Sequence, residues 1–218
     1  MLANGPVALT GPFAFATLFA MRFRFAQPGD GAGIAAIYGP IVAHTAISFE
    51  VEPPDAALMR ARIAEQPANR PWIVAERDAQ ILGYAYASPF RGRAAYRWSA
   101  ETTVYVAESA RRRGVAGDLY AVLFGLLVAQ GYRRAFAGIT LPNHASERLH
   151  RAIGFTDVGV FRAAGHKFGA WHDVMMLQRA LAPLTIPEHD PLPVAELAAA
   201  QRAAIFALRR EAREDRAE

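Results

Sequence analysis

The chain has 218 residues, enough for one domain with a sizeable core and decorated ends but too few for two full-sized domains. Hydrophobic residues make up 53% and charged residues 20%, so enough apolar surface can be buried to offset the ordering entropy, which excludes a disordered chain. The formal net charge of +4 is carried almost wholly by arginine, whose planar fork suits phosphates and carboxylates; the arginines are dispersed and accompany no nucleic-acid motif, so no nucleic-acid partner is expected.

There is no cysteine, which removes disulfides, zinc-thiolate sites and any acyl-cysteine route. Neither His144 with His150 nor His166 with His172 has the i, i+4 spacing of a helical metal pair, so no metal is expected. The amino-terminal run PVALTGPFAFATLFA is apolar, but Gly11-Pro12 interrupts it and no basic residue precedes it. Residues 1–21 therefore read as a leader or misassigned start, disordered, rather than a secretory signal. The apolar run LYAVLFGLLVA is shorter than the ~20 residues that span a bilayer, so it reads as a core helix and no membrane association is expected.

From Arg22, RFRFAQ alternates like a half-buried strand. Asp30 then stands at an N-cap position before Ile34, Ile37, Tyr38 and Ile41, which share one helical face. A second helix is expected from Pro54 to about Gln66, between Pro53-Pro54 and Pro67. PWIVAER and ILGYAYASPF, joined by Asp78-Ala79-Gln80, read as an antiparallel hairpin, and ETTVYVAES as the next strand. A glycine-containing loop leads into the long apolar helix, which ends near Gly131. Strand AFAGIT, helix HASERLHRAI closed by Gly154, and a strand region from Phe155 through DVMMLQRAL complete a mixed α/β sheet flanked by helices. Beyond Leu181 a proline-rich connector leads to a segment in which Leu197, Ile205 and Leu208 share a face, as in an amphipathic helix that docks on the domain or on another subunit. Residues 22–181 are thus the domain proper and 182–218 an appendage.

The sharpest local signal is ARRRGVAG, from Ala110 to Gly117, between a strand and a helix. Small residues let backbone N–H groups approach an anion, the helix start adds its positive dipole end, and Arg111, Arg112 and Arg113 can reach phosphates from outside. It is neither a Walker loop nor a dinucleotide fingerprint, and taken alone a tight turn with solvated arginines explains it equally well.

Arg111-x-x-Gly114-x-Ala116 between strand and helix resembles the acetyl-CoA pyrophosphate loop of the GNAT acetyltransferase superfamily. GYAYASPFRGRAAYRWSAETTVYV, LPNHASERLH, GFTDVG and AAGHKFGAWHDV resemble, in register, the phosphinothricin acetyltransferase family, which includes methionine sulfoximine and methionine sulfone acetyltransferases. The resemblance runs from about Arg22 to Leu181. It implies the GNAT fold, a mostly antiparallel mixed sheet flanked by helices, and a cytoplasmic homodimer that moves acetyl from acetyl-CoA directly onto the amine of a small amino-acid-like acceptor.

The resemblance also implies site residues. Glu101 takes the place of the family's catalytic base, and N-acetylation needs one because an ammonium cannot attack a thioester. His150 takes that of a histidine near the catalytic centre, able to relay a proton near neutral pH, with Arg151 after it where the family often has glutamate. Val104, Tyr105 and Val106 match the strand that binds the pantetheine arm, Gly114, Val115, Ala116 and Gly117 the phosphate cradle, and Asn143 the cofactor-binding asparagine. Phe49, Arg91, Arg93 and Tyr96 match acceptor-binding positions, with Lys167 and Trp171 on the far side of the pocket or at a subunit contact. The family often has lysine at the place of Arg91. The residues alone permit other readings: a strand carboxylate paired with an arginine for Glu101, a packing histidine for His150, a helix cap for Asn143. The function competes with acetylation of another amine, a protein N-terminus or polyamine, and with a non-catalytic acyl-CoA-binding module.

Overall fold

The computed structural model describes residues 21–208, so all but the last residue of the expected leader, and the charged end from residue 209, lie outside the described residues. Among the described residues seven strands form one sheet in the order β1-β2-β3-β4-β5-β7-β6. They are β1 (Arg22–Phe25), β2 (Trp72–Arg77), β3 (Gln80–Pro89), β4 (Ser99–Val106), β5 (Arg134–Thr140), β6 (Thr156–Lys167) and β7 (Ala170–Ala180). Every pairing is antiparallel except β4 with β5. The mixed, mostly antiparallel sheet expected from the sequence is therefore present.

Alternation sorts the strand side chains onto two covered faces. Ile73, Ala75, Ala85, Ala87 and Ala100 pack against α3 (Val115–Gln130), whose Leu119, Leu123, Leu126 and Leu127 are fully buried. On the other face Trp72, Val74 and Tyr84 pack against α1 (Gly31–His44) and α2 (Ala56–Ala64) through Ile34, Tyr38, Met59 and Ile63. Helix α4 (His144–Ala152) follows β5 and carries a single buried residue, His150.

Three local readings change in the folded chain. Asp30 stands at the N-cap position of α1 but its side chain makes no cap hydrogen bond; a 3-10 turn over Pro28–Asp30 gives it helical backbone angles and turns its carboxylate back to β1. There Arg24 donates to both its oxygens at 2.7 and 2.8 Å, a charge-assisted fork that outweighs a neutral cap. The second helix, Ala56–Ala64, is shorter than Pro54 to Gln66, because Asp55 accepts from Leu58 N–H at 2.7 Å and so starts it two residues later. The last strand region is a hairpin of two long strands, β6 and β7, turning at Phe168 and Gly169, both with positive φ.

The segment after β7 runs back across one end of the sheet. Arg97 donates to both carboxylate oxygens of Asp190 at 2.7 and 2.9 Å, Trp98 Nε1 donates to His189 O at 3.0 Å, and Leu192 exchanges hydrogen bonds with Gln130 at the end of α3. The segment ends in α5 (Ala199–Phe206), where Leu197 and Ile205 join the α3 core and Phe206 meets Phe25 edge-on at 4.8 Å.

Leu197→Ala should lower stability by about 2–5 kcal/mol, the cost of an emptied core site, whereas Ile186→Ala, at a 91% exposed position of the same segment, should change nothing measurable. Urea unfolding of the two variants checks this, and equal stability would mean that the segment adds no core.

Candidate active site

The parallel pair β4–β5 holds register only over Ser99, Ala100 and Glu101, opposite Arg134, Ala135 and Phe136. Beyond Glu101 the strands separate, although β4 continues to Val106 and β5 to Thr140. The open edge of β4 borders a groove of about 610 Å³ lined by Val104, Tyr105, Val106, Arg111, Arg112, Gly114, Val115, Ala116, Gly117 and Asn143, together with Leu149 and Ser146 of α4. The structure thus gathers every expected cofactor residue here but Arg113, which falls with Arg111, Arg112 and Glu108 on an adjoining surface recess.

The loop explains how the groove acquires donors. Gly114 takes φ +85°, a left-handed conformation that a side chain would strain, and stands as the N-cap of α3. The first N–H groups of a 16-residue helix then face outward without intrahelical acceptors, with the dipole's positive end behind them. Such a start holds phosphate oxygens, and Arg111 and Arg112 add charge beside it. Asn143 caps α4, its Oδ1 accepting from Ser146 N–H at 3.2 Å, which leaves its amide N–H groups for the groove.

Glu101 stands where the strands part. Its carboxylate makes no hydrogen bond or ion pair among the described residues, and no arginine pairs with it. Its Oε1 lies 3.7 Å from where a Cβ would stand on Gly138 of β5, so it reaches across the split. Burial without a partner pushes its pKa above the ordinary carboxylate value.

His150 reaches the same split from the α3 face. Its Nδ1 lies 2.8 Å from Ser146 O, a pure acceptor, so Nδ1 carries the proton and Nε2 accepts from the Tyr120 hydroxyl at 2.9 Å. Tyr120 Oη is also 3.4 Å from Thr102 O, the residue after Glu101. His150 is only 4% exposed, and burial lowers its pKa, so it is neutral near pH 7. Sequence reasoning missed Tyr120; the one signal was a hydroxyl inside an otherwise apolar helix run.

The acceptor residues fall in three places. Arg91 lies over the Phe90 and Tyr96 rings at 5.2 and 5.6 Å, and Phe90 stacks on Phe136 of β5 at 3.7 Å, so this cluster stands beside Glu101's partner strand. Arg93 is exposed at the start of the same short turn. Phe49, between α1 and α2, lies on β6 at Gly165. Lys167 is buried, its ammonium donating to Val42 O and Ser48 O at 2.8 Å each, so the structure commits it to holding the chain next to Phe49. Trp171 is 68% exposed on the β6–β7 hairpin. No group of three or more His, Asp or Glu side chains among the described residues is placed to hold a metal ion.

A parallel pair that splits, a helix start with free N–H groups beside arginines and a carboxylate at the fork fit an acyl-CoA-dependent N-acyltransferase. Residues 23–176 match the acetyltransferase (GNAT) domain, and the chain belongs to this family as an N-acetyltransferase. It is 36% identical, over 81% of its length and 96% of the relative's, to the phosphinothricin N-acetyltransferase of Streptomyces viridochromogenes. It is 32% identical, over 77% of its length and 99% of the relative's, to the L-methionine sulfoximine/L-methionine sulfone acetyltransferase of Salmonella typhimurium. Among solved structures it resembles a phosphinothricin acetyltransferase from Sinorhizobium meliloti in complex with acetyl-CoA, with a TM-score of 0.74 at 35% identity, over 81% of this chain and 97% of that one.

Because the folded state raises the pKa of Glu101, its ionised form costs stability above that pKa, and the cost disappears as pH falls below the unfolded value. Glu101→Gln should therefore melt at a higher temperature than the parent near pH 7, with the gap closing towards about pH 4, the ordinary glutamate range. A variant that melts at or below the parent at both pH values would show that the carboxylate has a partner.

Proposed function

We propose that the protein transfers acetyl from acetyl-CoA to the primary amine of a small amino-acid-like acceptor, such as phosphinothricin or methionine sulfoximine. The observation that carries this reading is the unpaired Glu101 carboxylate at the fork of β4 and β5, next to a helix start equipped for phosphates. When bound, acetyl-CoA supplies the acyl group as a thioester.

The chain's own residues do the rest. Backbone N–H groups from Gly114 to Gly117 and the guanidinium groups of Arg111 to Arg113 hold the pyrophosphate, while the open edge of β4 at Val104 to Val106 and the Asn143 amide align the pantetheine arm. Glu101 takes the proton of the acceptor ammonium, directly or through a water, which frees the lone pair for attack. Neutral His150 holds the Tyr120 hydroxyl towards the split and supports proton movement through it. Arg91 and Arg93 attract the acceptor's carboxylate, Tyr96 and Phe49 wall its side chain, and the arginines disfavour a polyamine.

The same reading takes residues 22–181 as the catalytic domain, 182–218 as its appendage, and the active form as a cytoplasmic homodimer. Phe161, Phe168 and Trp171, all more than half exposed on the edge hairpin, supply apolar surface for a second copy. No helix of the described residues is long and apolar enough to cross a membrane.

Glu101→Gln should lower turnover by roughly 10²-fold or more while calorimetry finds acetyl-CoA binding intact. The parent's activity should fall as pH drops through the raised pKa of Glu101, above the usual carboxylate range, and the variant should lack that limb. Free-thiol release across a panel of amines tests the acceptor class: no activity on any amino-acid analogue would turn the assignment to another amine. Sedimentation should give twice the 23.7 kDa chain mass, and a monomer would remove the dimer.

A further inference from the structure

The segment between α1 and α2 roofs the split between β4 and β5. At one side Tyr38 of α1 packs on Tyr105 of β4 at 4.9 Å, and Ile47 lines the cofactor groove. Thr140 of β5 donates to Ile47 O at 3.4 Å. The far side of the roof rests on β6.

Phe49 is the aromatic residue of this roof, and both its neighbours are fastened. Ser48 gives its carbonyl to the buried Lys167 ammonium at 2.8 Å and its hydroxyl to Tyr38 at 2.5 Å. Glu50 receives both arms of Arg62 at 2.8 and 2.9 Å, and Tyr38 donates to it at 2.9 Å. A single Phe side chain is thus set by α1 and α2, which flank it in sequence, and by β6, more than a hundred residues downstream.

Its ring lies where a side chain on β6 would otherwise stand. A Cβ at Gly165 would fall inside van der Waals contact with Cε2, Cζ and Cδ2 of Phe49, closer than atoms approach. Gly165 is not among the positive-φ glycines, so its backbone accepts alanine and the ring alone demands its absence. A bulge between Phe161 and Gly165 brings the strand to this register, pinned by Asp173, which accepts from Ala163 N–H at 2.8 Å.

We infer that Gly165 is a specificity-determining position, that it seats Phe49 as the wall limiting the acceptor's side chain, and that Lys167 and the Glu50–Arg62 pair are positioning residues for that wall. This rests on the acceptor site proposed above. Lys167 then acts through Phe49 and not on the acceptor: two of its three donors are taken by main-chain carbonyls, and little of it is exposed. A methyl group at Gly165 displaces the ring, and the displaced ring enters the space that the acceptor's side chain needs.

The test is a double-mutant cycle on the full chain, with methionine sulfone and acetyl-CoA as substrates. Gly165→Ala should raise KM for methionine sulfone about tenfold or more, the discrimination that one misplaced methyl group commands in an apolar pocket. KM for acetyl-CoA should stay unchanged. In the Phe49→Ala background the same change should have no further effect, because the ring it displaces is gone. Lys167→Met should act in the direction of Gly165→Ala; should it fail to fold, the glycine cycle still decides. An unchanged KM in Gly165→Ala, or an equal loss in both backgrounds, overturns the inference while leaving the acetyl transfer standing. A parent enzyme inactive on every amino acid overturns the acceptor site itself.

Discussion

Two parallel strands that begin in register and then separate create the space on which the rest of the molecule depends. A continuous β4–β5 ladder would satisfy both edges and leave no room for a ligand between them. Because pairing stops at Glu101 and Phe136, the backbone of β4 beyond that point offers hydrogen-bonding groups to a ligand instead of a neighbour. Helix α3 is aimed at the same opening by the loop that connects it to β4, so its unpaired N–H groups and the open strand edge converge. The ends of β4 and β5 near Ser99 and Arg134 stay joined, and so does the packing of both sheet faces around them.

The site holds its polar groups at a cost that the surrounding core must offset. Glu101 is partly buried without a counter-charge, and His150 is buried neutral between a carbonyl and a tyrosine hydroxyl. Elsewhere the chain behaves differently: Arg24 is forked onto Asp30 and also bonded to Glu76, and Arg62 onto Glu50. Burial without pairing is thus confined, among the carboxylates discussed, to Glu101, the group proposed as the base. Stability is spent locally where chemistry needs an adjustable charge.

Much of the architecture was legible from short-range pattern. The hairpin of β2 and β3, the long apolar helix and its glycine stop, and the glycine loop before it all depend on periodicity and on residues close in sequence, which are local properties. The readings that changed each involved a partner distant in the chain or a stronger local donor. Asp30 stands at the N-cap position, but Arg24 takes its side chain; Tyr120 lies in the core as expected, but α4 also brings His150 against its hydroxyl. Lys167 is expected at the far side of the pocket or at a subunit contact, and its ammonium donates to two carbonyls more than a hundred residues upstream.

The sequence by itself determined the kinds of elements, their order, the loop chemistry and the family, because these follow from propensity, capping and motifs whose residues are neighbours along the chain. The tertiary structure alone decided where the sheet splits, that Glu101 stands there unpaired, and that Phe49 lies on Gly165. Those facts depend on which strands and loops become neighbours in space. Pairing and close approach between residues a hundred positions apart leave no periodic signal in a single chain.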